Sequence, residues 1–400
     1  MAGPDGSVAG HGLGHILALF RSRGPLTRGE VMDSTGLARS TVNQRLDTLL
    51  GAGLLIPAGE SASTGGRRPG RFAFNAQAGI TLVVDVGASG LRTAVCDLGG
   101  SVLADHAARI HVARGPLEVL GLVDERFQAL LAEVGRDRED VRGVAISVPG
   151  PVQYATGRVV SPPIMTGWDG FDIPGFFRQR YGVTVLVDND ANAMAVGEQR
   201  TCYPGVDHLV FLKAGTGVGC GIIAGGQVLR GAQGAAGDIG HTRATVADAA
   251  EEPVCICGNT GCVEAYAGGW ALVRDLQAAG RGADTVDDVV ALIRAGDPAA
   301  ARLARRAGRI LGEAVADTVS VLNPAVVVVG GQLAHAQDQL LAGIREVVYQ
   351  RCLPLATRSL QLVRTELDQR AGVSGLALLL SDAILAPDQM ETLAGQPAAR

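Results

Sequence analysis

Residues 237–264 read GDIGHTRATVADAAEEPVCICGNTGCVE. Cys255, Cys257 and Cys262, with His241, have the residue types and spacing to close a Cys3His tetrahedron around one Zn2+. Four protein ligands saturate such an ion, so it would brace structure rather than activate water. The interleaved acids Asp238 and Glu264 would then be held rigidly beside the imidazole. Fixed carboxylates accept hydrogen bonds from hydroxyl groups, which suits a polyhydroxylated ligand. The loop predicts a metal-braced binding site.

On either side of it, β and α patterns alternate. ITLVVDVG (80–87) is an apolar strand ending in Asp85 and Gly87, and LRTAVCDL and SVLADHAARI continue it as a three-strand meander. Residues 116–134 read as a helix and 141–148 as a strand. VTVLVDND (183–190) is a further strand leading into a helix over 191–200, and residues 208–214 and 218–224 pair about the turn GTGVG. Beyond the loop, helices are predicted near 270–279, 286–295 and 298–321. A strand over 325–329 then runs into Gly330–Gly331, followed by helices near 336–350 and 371–386. Two β-rich segments, each followed by helices, predict an α/β body (80–387) of two lobes with a ligand cleft between them. The glycine turns at strand ends can present backbone N–H groups to phosphates. From its place ahead of the helix, Asp190 reads as an N-cap.

The N-terminal segment, 11–75, has a different character. Leu13, Ile16, Leu17, Leu19 and Phe20 form a helical apolar stripe. A short helix fits 27–34 with Gly36 beyond it. LARSTVNQRLDTLLGAGLL then supplies a third helix with Val42, Leu46, Leu49 and Leu50 on its buried face. Two helices joined by a short Gly-containing turn match the helix-turn-helix pattern, whose second helix enters the DNA major groove N-terminal end first. Arg39, Ser40, Thr41, Asn43, Gln44 and Arg45 lie on that end. Strands at 54–58 and 71–75 around GESASTGGRRPG would form a wing, with Arg67, Arg68 and Arg71 placed for phosphates or a minor groove.

Composition agrees with this division. Residues 1–75 carry eight arginines against five acids, whereas the whole 400-residue chain has a net charge of −5. A basic module on an acidic body suits nucleic-acid contact by the module alone and excludes a general polyanion binder. With 47% hydrophobic residues the chain can bury a sizeable core, and 56 glycines indicate many tight turns. No charged start precedes an apolar run and no apolar stretch approaches about 18 residues, so the expected setting is the cytoplasm, without a membrane. Cys96, Cys202, Cys220 and Cys352 read as buried thiols.

Taken together, GDIGH with CxCGxxGCxE, DNDAN (188–192) and GTGVG (215–219) resemble the ROK family, whose name joins repressors, open reading frames and sugar kinases. The resemblance covers nearly the whole chain. It implies an actin-like, ribonuclease H-like, two-lobed ATPase body, and the N-terminal segment resembles the winged helix-turn-helix of the family's regulators. For the sugar pocket it implies Asn189, Asp190, Asp238, His241 and Glu264. Asp190 stands where family kinases keep their general base, and His241 would bind Zn2+ through one ring nitrogen and leave the other for ligand. Asp238 departs from the family's more usual glutamate. For ATP and Mg2+ the resemblance implies Asp85, Gly87, Ser89, Gly215, Thr216, Gly217, Gly219, Gly330 and Gly331. Ala88 and Ser89 replace a glycine and a threonine there, and Cys220 replaces a glycine. The implied protein is a sugar-responsive regulator, expected to repress. Its partners would be operator DNA and a sugar or phosphosugar, and it would form a homodimer or homotetramer. An ATP-dependent hexose kinase using Asp190 is the alternative.

Overall fold

The computed structural model describes residues 12–60, 69–246, 252–387 and 389–390. It opens with α1 (Leu13–Arg23), α2 (Arg28–Thr35) and α3 (Arg39–Gly51), which bury Ile16, Leu17, Phe20, Val31, Val42, Leu46 and Leu49 against one another. Leu50, expected on the buried face, is only half-buried. Thr27 starts α2 with a reciprocal capping box: its hydroxyl accepts from the Glu30 amide at 3.2 Å, and the Glu30 carboxylate accepts from the Thr27 amide at 2.7 Å. Gly36, at φ 67°, ends α2 in the left-handed conformation that glycine adopts without strain. β1 (Leu26–Thr27), β2 (Leu55–Glu60) and β3 (Gly70–Phe74) form a sheet in the order β1-β3-β2. The two-residue β1 was not foreseen. The segment carrying Arg67 and Arg68 lies outside the described residues.

The body follows as β4 (Ile80–Val86), β5 (Leu91–Asp97), β6 (Val102–Ala108), α4 (Pro116–Glu133), β7 (Val141–Val148), the ribbon β8 (Val152–Gln153) and β9 (Arg158–Val159), α5 (Ile173–Tyr181), β10 (Thr184–Asn189) and α6 (Asp190–Cys202). Then come β11 (Leu209–Ala214), β12 (Val218–Ala224), β13 (Gln227–Val228), α7 (Val263–Ala267), α8 (Gly269–Ala278), α9 (Val286–Arg294) and α10 (Pro298–Leu322). The chain continues through β14 (Val326–Gly330), α11 (Gln337–Arg351), α12 (Pro354–Thr357), β15 (Gln361–Arg364) and α13 (Ala371–Ile384). The two five-stranded sheets have the orders β10-β7-β4-β5-β6 and β13-β12-β11-β14-β15. In each, an antiparallel meander of three strands is extended by two parallel strands beside its first member, so the topology is the same twice. Parallel strands buried on both faces explain the near-continuous apolar runs of β7 and β14.

Two helices join the sheets. α6 packs on β11 and β12 of the second sheet, and α13 packs on β4 and β7 of the first. They cross each other with almost no side chain between them. A methyl group on Gly197 would overlap the Ala371 carbonyl, and one on Gly375 would overlap the Ala193 carbonyl. One apolar cluster runs from α1 and α3 through Val83 and Ala94, along α6 and α13, to Phe211 and Val328 of the second sheet. The N-terminal helices are therefore packed onto the seam between the lobes. No helix among the described residues is long and apolar enough to cross a membrane.

Candidate functional site

The metal-ligand set predicted from sequence comes together. His241, Cys255, Cys257 and Cys262 place one ligand atom each within 4.8 Å of one another. Cys255 Sγ lies 3.6 Å from His241 Nδ1, and Cys257 Sγ lies 3.7 Å from Cys262 Sγ. A tetrahedral Zn2+ with Zn–S near 2.3 Å has S–S edges of about 3.8 Å, so these separations fit that ion. Two sharp glycines shape the knuckle: Gly258 at φ 93° and Gly261 at φ 75°. With Nδ1 facing the thiols, Nε2 of His241 is the ring nitrogen left over.

The first ligand is seated by the glycines of GDIGH. Gly237 lies directly on the carbonyl of Cys220 and Gly240 on that of Val218, so the loop presses backbone to backbone on β12. Asp238 between them is exposed. Glu264, on the first turn of α7, is buried, with Oε2 accepting from the Val218 amide at 2.8 Å and Oε1 from the Trp270 indole at 3.3 Å. It packs against Gly217 as well. One carboxylate thus ties α7 to the turn after β11.

At the end of β10 the DNDAN motif divides its work. Asn189, not Asp190, is the N-cap of α6: its Oδ1 accepts from the Ala191 amide at 2.9 Å and the Asn192 amide at 3.4 Å. Its Nδ2 donates to the Gly150 carbonyl at 3.2 Å. The N-cap reading of Asp190 is therefore displaced by one residue, because β10 carries its extended conformation through Asn189. Asp188 is buried and accepts from the Asn189 amide, from Asn192 Nδ2 and from Arg230. Arg230, 2.7 Å from Asp188, lies just beyond β13 and stacks over the Tyr154 ring at 3.7 Å.

Asp190 is buried and its carboxylate is already engaged. Oδ1 accepts from the Ala191 amide at 2.8 Å, and Oδ2 meets Nζ of Lys213 from β11 in the other sheet. Asp85, at the end of β4, accepts from the Ser147 hydroxyl at 2.6 Å and abuts Gly372 of α13 with its other oxygen. Burial and the nearby charge of Asp190 push the Asp85 carboxyl up to about 6, against the opposing pull of Ser147, Lys213 and Arg92. For Lys213, burial opposes the ammonium, but Asp190, Asp85 and Glu264 outweigh it and hold its pKa above the ordinary value. In this arrangement the ammonium of Lys213 already offsets the charges of Asp190 and Asp85. Lys213, Arg230 and Asp188 escaped the reading of the sequence. The signal available was a lone charge in the apolar strand LVFLKA.

The glycine turns surround this point. In the turn Gly215–Thr216–Gly217, the Gly215 amide donates to Gly217 at 3.0 Å, and the start of α8 donates to the Gly215 and Thr216 carbonyls. Gly219 follows on β12. Gly87 closes a turn onto Gly90 at 2.8 Å, leaving Ser89 exposed. Gly330 is packed on the Phe211 ring, and Gly331 needs its φ of 86°. At α3, Arg39, Ser40 and Gln44 are exposed, whereas Thr41, Asn43 and Arg45 are half-buried. Asn43 accepts from Arg28 at 2.8 Å, and Arg71 donates to the Pro25 carbonyl, so both already serve the fold.

A family model described as the ROK family matches residues 81–383. The xylose repressor of Bacillus subtilis strain 168 is 26% identical over 371 residues, covering 92% of this chain and 94% of that protein. The crystal structure of a ROK family transcriptional regulator, homologous to the Escherichia coli Mlc protein, superposes with a TM-score of 0.78. Identity there is 26%, over 96% of this chain and 98% of that one. A ROK family glucokinase from Streptomyces griseus, solved with glucose and AMPPNP, superposes with a TM-score of 0.62 at 30% identity, over 75% of this chain and 99% of its own. The two-sheet body has the actin-like ATPase fold of these relatives.

Proposed function

The chain belongs to the ROK family, and on that premise we propose that it is a cytoplasmic, sugar-responsive transcriptional repressor of carbohydrate genes. In this reading α1–α3 with β2 and β3 form a winged helix-turn-helix over 11–75, and a homodimer or homotetramer presents paired α3 helices to operator half-sites. The similarity to regulators along nearly the whole chain, rather than to kinases over the body alone, supports it.

The pocket would take a sugar or phosphosugar against Asp190, Asp238, His241 Nε2 and Glu264, with Asn189 holding the helix start. His241, Cys255, Cys257 and Cys262 would hold a structural Zn2+, which supplies rigidity to the loop between Asp238 and Glu264. Asp190 would accept a hydrogen bond from a ligand hydroxyl.

The observation that carries the reading is how this pocket is joined to the DNA-binding end. α6 begins at Asp190 and, near its other end, Arg200 binds Asp382 of α13. Arg21 of α1 binds the same carboxylate at 2.9 Å and donates to Ser381 at 3.1 Å. Arg200 and Asp382, with Arg230 and Ala383, also line an open cavity of about 240 Å³. A ligand that favours one position of α6 would thereby favour one position of α1, and ligand controls DNA affinity only through such a difference between states.

The test is fluorescence anisotropy of the full-length protein on DNA from its own upstream region, with and without a panel of hexoses, pentoses and their phosphates. The expected result is specific binding weakened by one sugar. Absence of binding to that DNA under every condition would overturn the proposal.

A further inference from the structure

Lys213 is the only lysine in the chain, against 34 arginines. It stands at the cleft end of β11, two residues before the turn that begins at Gly215. Its side chain is 16% exposed, and its Nζ lies on Oδ2 of Asp190, whose side chain is 4% exposed. Asp190 Oδ1 is occupied by the Ala191 amide. Asp85, on the same side of the cleft, has Ser147 on one oxygen and the backbone of Gly372 against the other. Asp190 is buried and Asp85 half-buried near it, and such a pair is relieved by a retained proton or by a cation, which can be supplied in two ways. A hard divalent ion would bind carboxylate oxygens directly. An ammonium does the same from a flexible stem, as a compact point charge that a guanidinium's planar fork cannot imitate in so small a space. In a chain whose other permanently cationic side chains are all arginine, the lysine marks the place where that compactness is needed.

We propose that Lys213 is the resident cation of the cleft, standing where a divalent metal would have to bridge Asp85 and Asp190, so that the cleft binds its ligand without Mg2+ or nucleotide. The proposal rests on the sugar-sensing reading and deepens it: Asp190 is paired across the lobes, and a hydroxyl bound there is held without losing its proton. Removing the ammonium leaves two facing carboxylates with oxygen ligands suited to Mg2+ or Mn2+.

The test needs no sugar, so it is separable from the sugar reading itself. Zinc-loaded wild type and Lys213→Met are titrated with MnCl2 and free Mn2+ is followed by electron paramagnetic resonance. Lys213→Met is expected to gain one Mn2+ site at least tenfold tighter than any in the wild type, and Lys213→Met/Asp190→Asn to lose it again. A wild type that binds one equivalent of Mn2+ as tightly as Lys213→Met overturns the proposal, and so does a folded Lys213→Met that gains nothing. Calorimetry of wild type with ATP keeps the question open to refutation even if the variant does not fold. ATP is expected to bind immeasurably weakly, or with an affinity that changes less than twofold on adding MgCl2, and a tenfold gain with MgCl2 overturns the proposal.

Discussion

Arg21 of the first helix and Asp382 of the last stand 2.9 Å apart, and the other oxygen of the same carboxylate is held by Arg200. Two arginines from separate helices thus share one acid, and one of those helices starts at Asp190. Each pair is partly exposed and worth only about 0.2–1 kcal/mol, so Asp382→Asn should leave the fold standing. Its effect should fall on coupling. Allosteric coupling is typically about 1–3 kcal/mol, so the variant should bind operator without ligand much as wild type does and lose most of the sugar-induced change. Anisotropy titrations with and without the sugar measure this directly. An unchanged sugar response would remove Asp382 from the path.

Cys257 is the most accessible of the three thiols and belongs to a small cluster separate from the core that holds α1–α3. Cys257→Ser should lower zinc content, measured by inductively coupled plasma mass spectrometry, from one per chain to well below one. It should weaken sugar binding by about tenfold or more, since a tetrahedral site that loses a thiolate loses its hold on the loop. Sugar-free operator binding should survive. Sugar affinity that persists at wild-type strength without bound metal would mean that the loop braces itself.

The cluster of His241, Cys255, Cys257 and Cys262 was legible in the sequence because its members are near one another in the chain. Most of the body's strands and long helices were legible too, because their apolar runs and periodicities are local properties. What stayed hidden was pairing at a distance. Lys213 meets Asp190 across 23 positions and from the opposite sheet, and Arg230 reaches Asp188 across 42. No local pattern announces either. The N-cap fell on Asn189 rather than Asp190 for a related reason. Both residue types cap helices, and only the sheet register, which carries β10 through Asn189 opposite Val148, fixes which of them is the last extended residue. Short elements such as α5, α7 and β15 were missed because Gly, Pro and polar neighbours mask a helix or strand this brief.

Asp85 predicts a pH dependence. Its carboxyl is raised from 3.8 to about 6 by burial and by Asp190. Between those values the unfolded chain has ionised while the folded chain keeps the proton, so stability from this group falls as pH rises from about 4 to about 6 and is level outside that window. Asp85→Asn removes the slope. Urea melts of both proteins at pH 4 and pH 7 should show the variant gaining on wild type at the higher pH by on the order of 2 kcal/mol. The double difference cancels any titration of the cysteine cluster, which the two proteins share. A constant gap between the two pH values would show that folding does not shift the titration of Asp85.

Gly237 and Gly205 have nearly the same φ, 93° and 87°, but different surroundings. A Cβ on Gly205 meets nothing within 4 Å, whereas one on Gly237 would overlap the Cys220 carbonyl of β12. Gly205→Ala should therefore cost only the left-handed strain, about 1 kcal/mol. Gly237→Ala adds a backbone overlap that only separation of the loop from β12 can relieve. It should cost about 2–4 kcal/mol and displace Asp238 and His241 together, lowering sugar affinity and zinc retention in the same variant. Thermal melts give the first comparison and calorimetry the second. If the two substitutions cost the same and ligand binding is untouched, the close seat of GDIGH on β12 is not what positions Asp238.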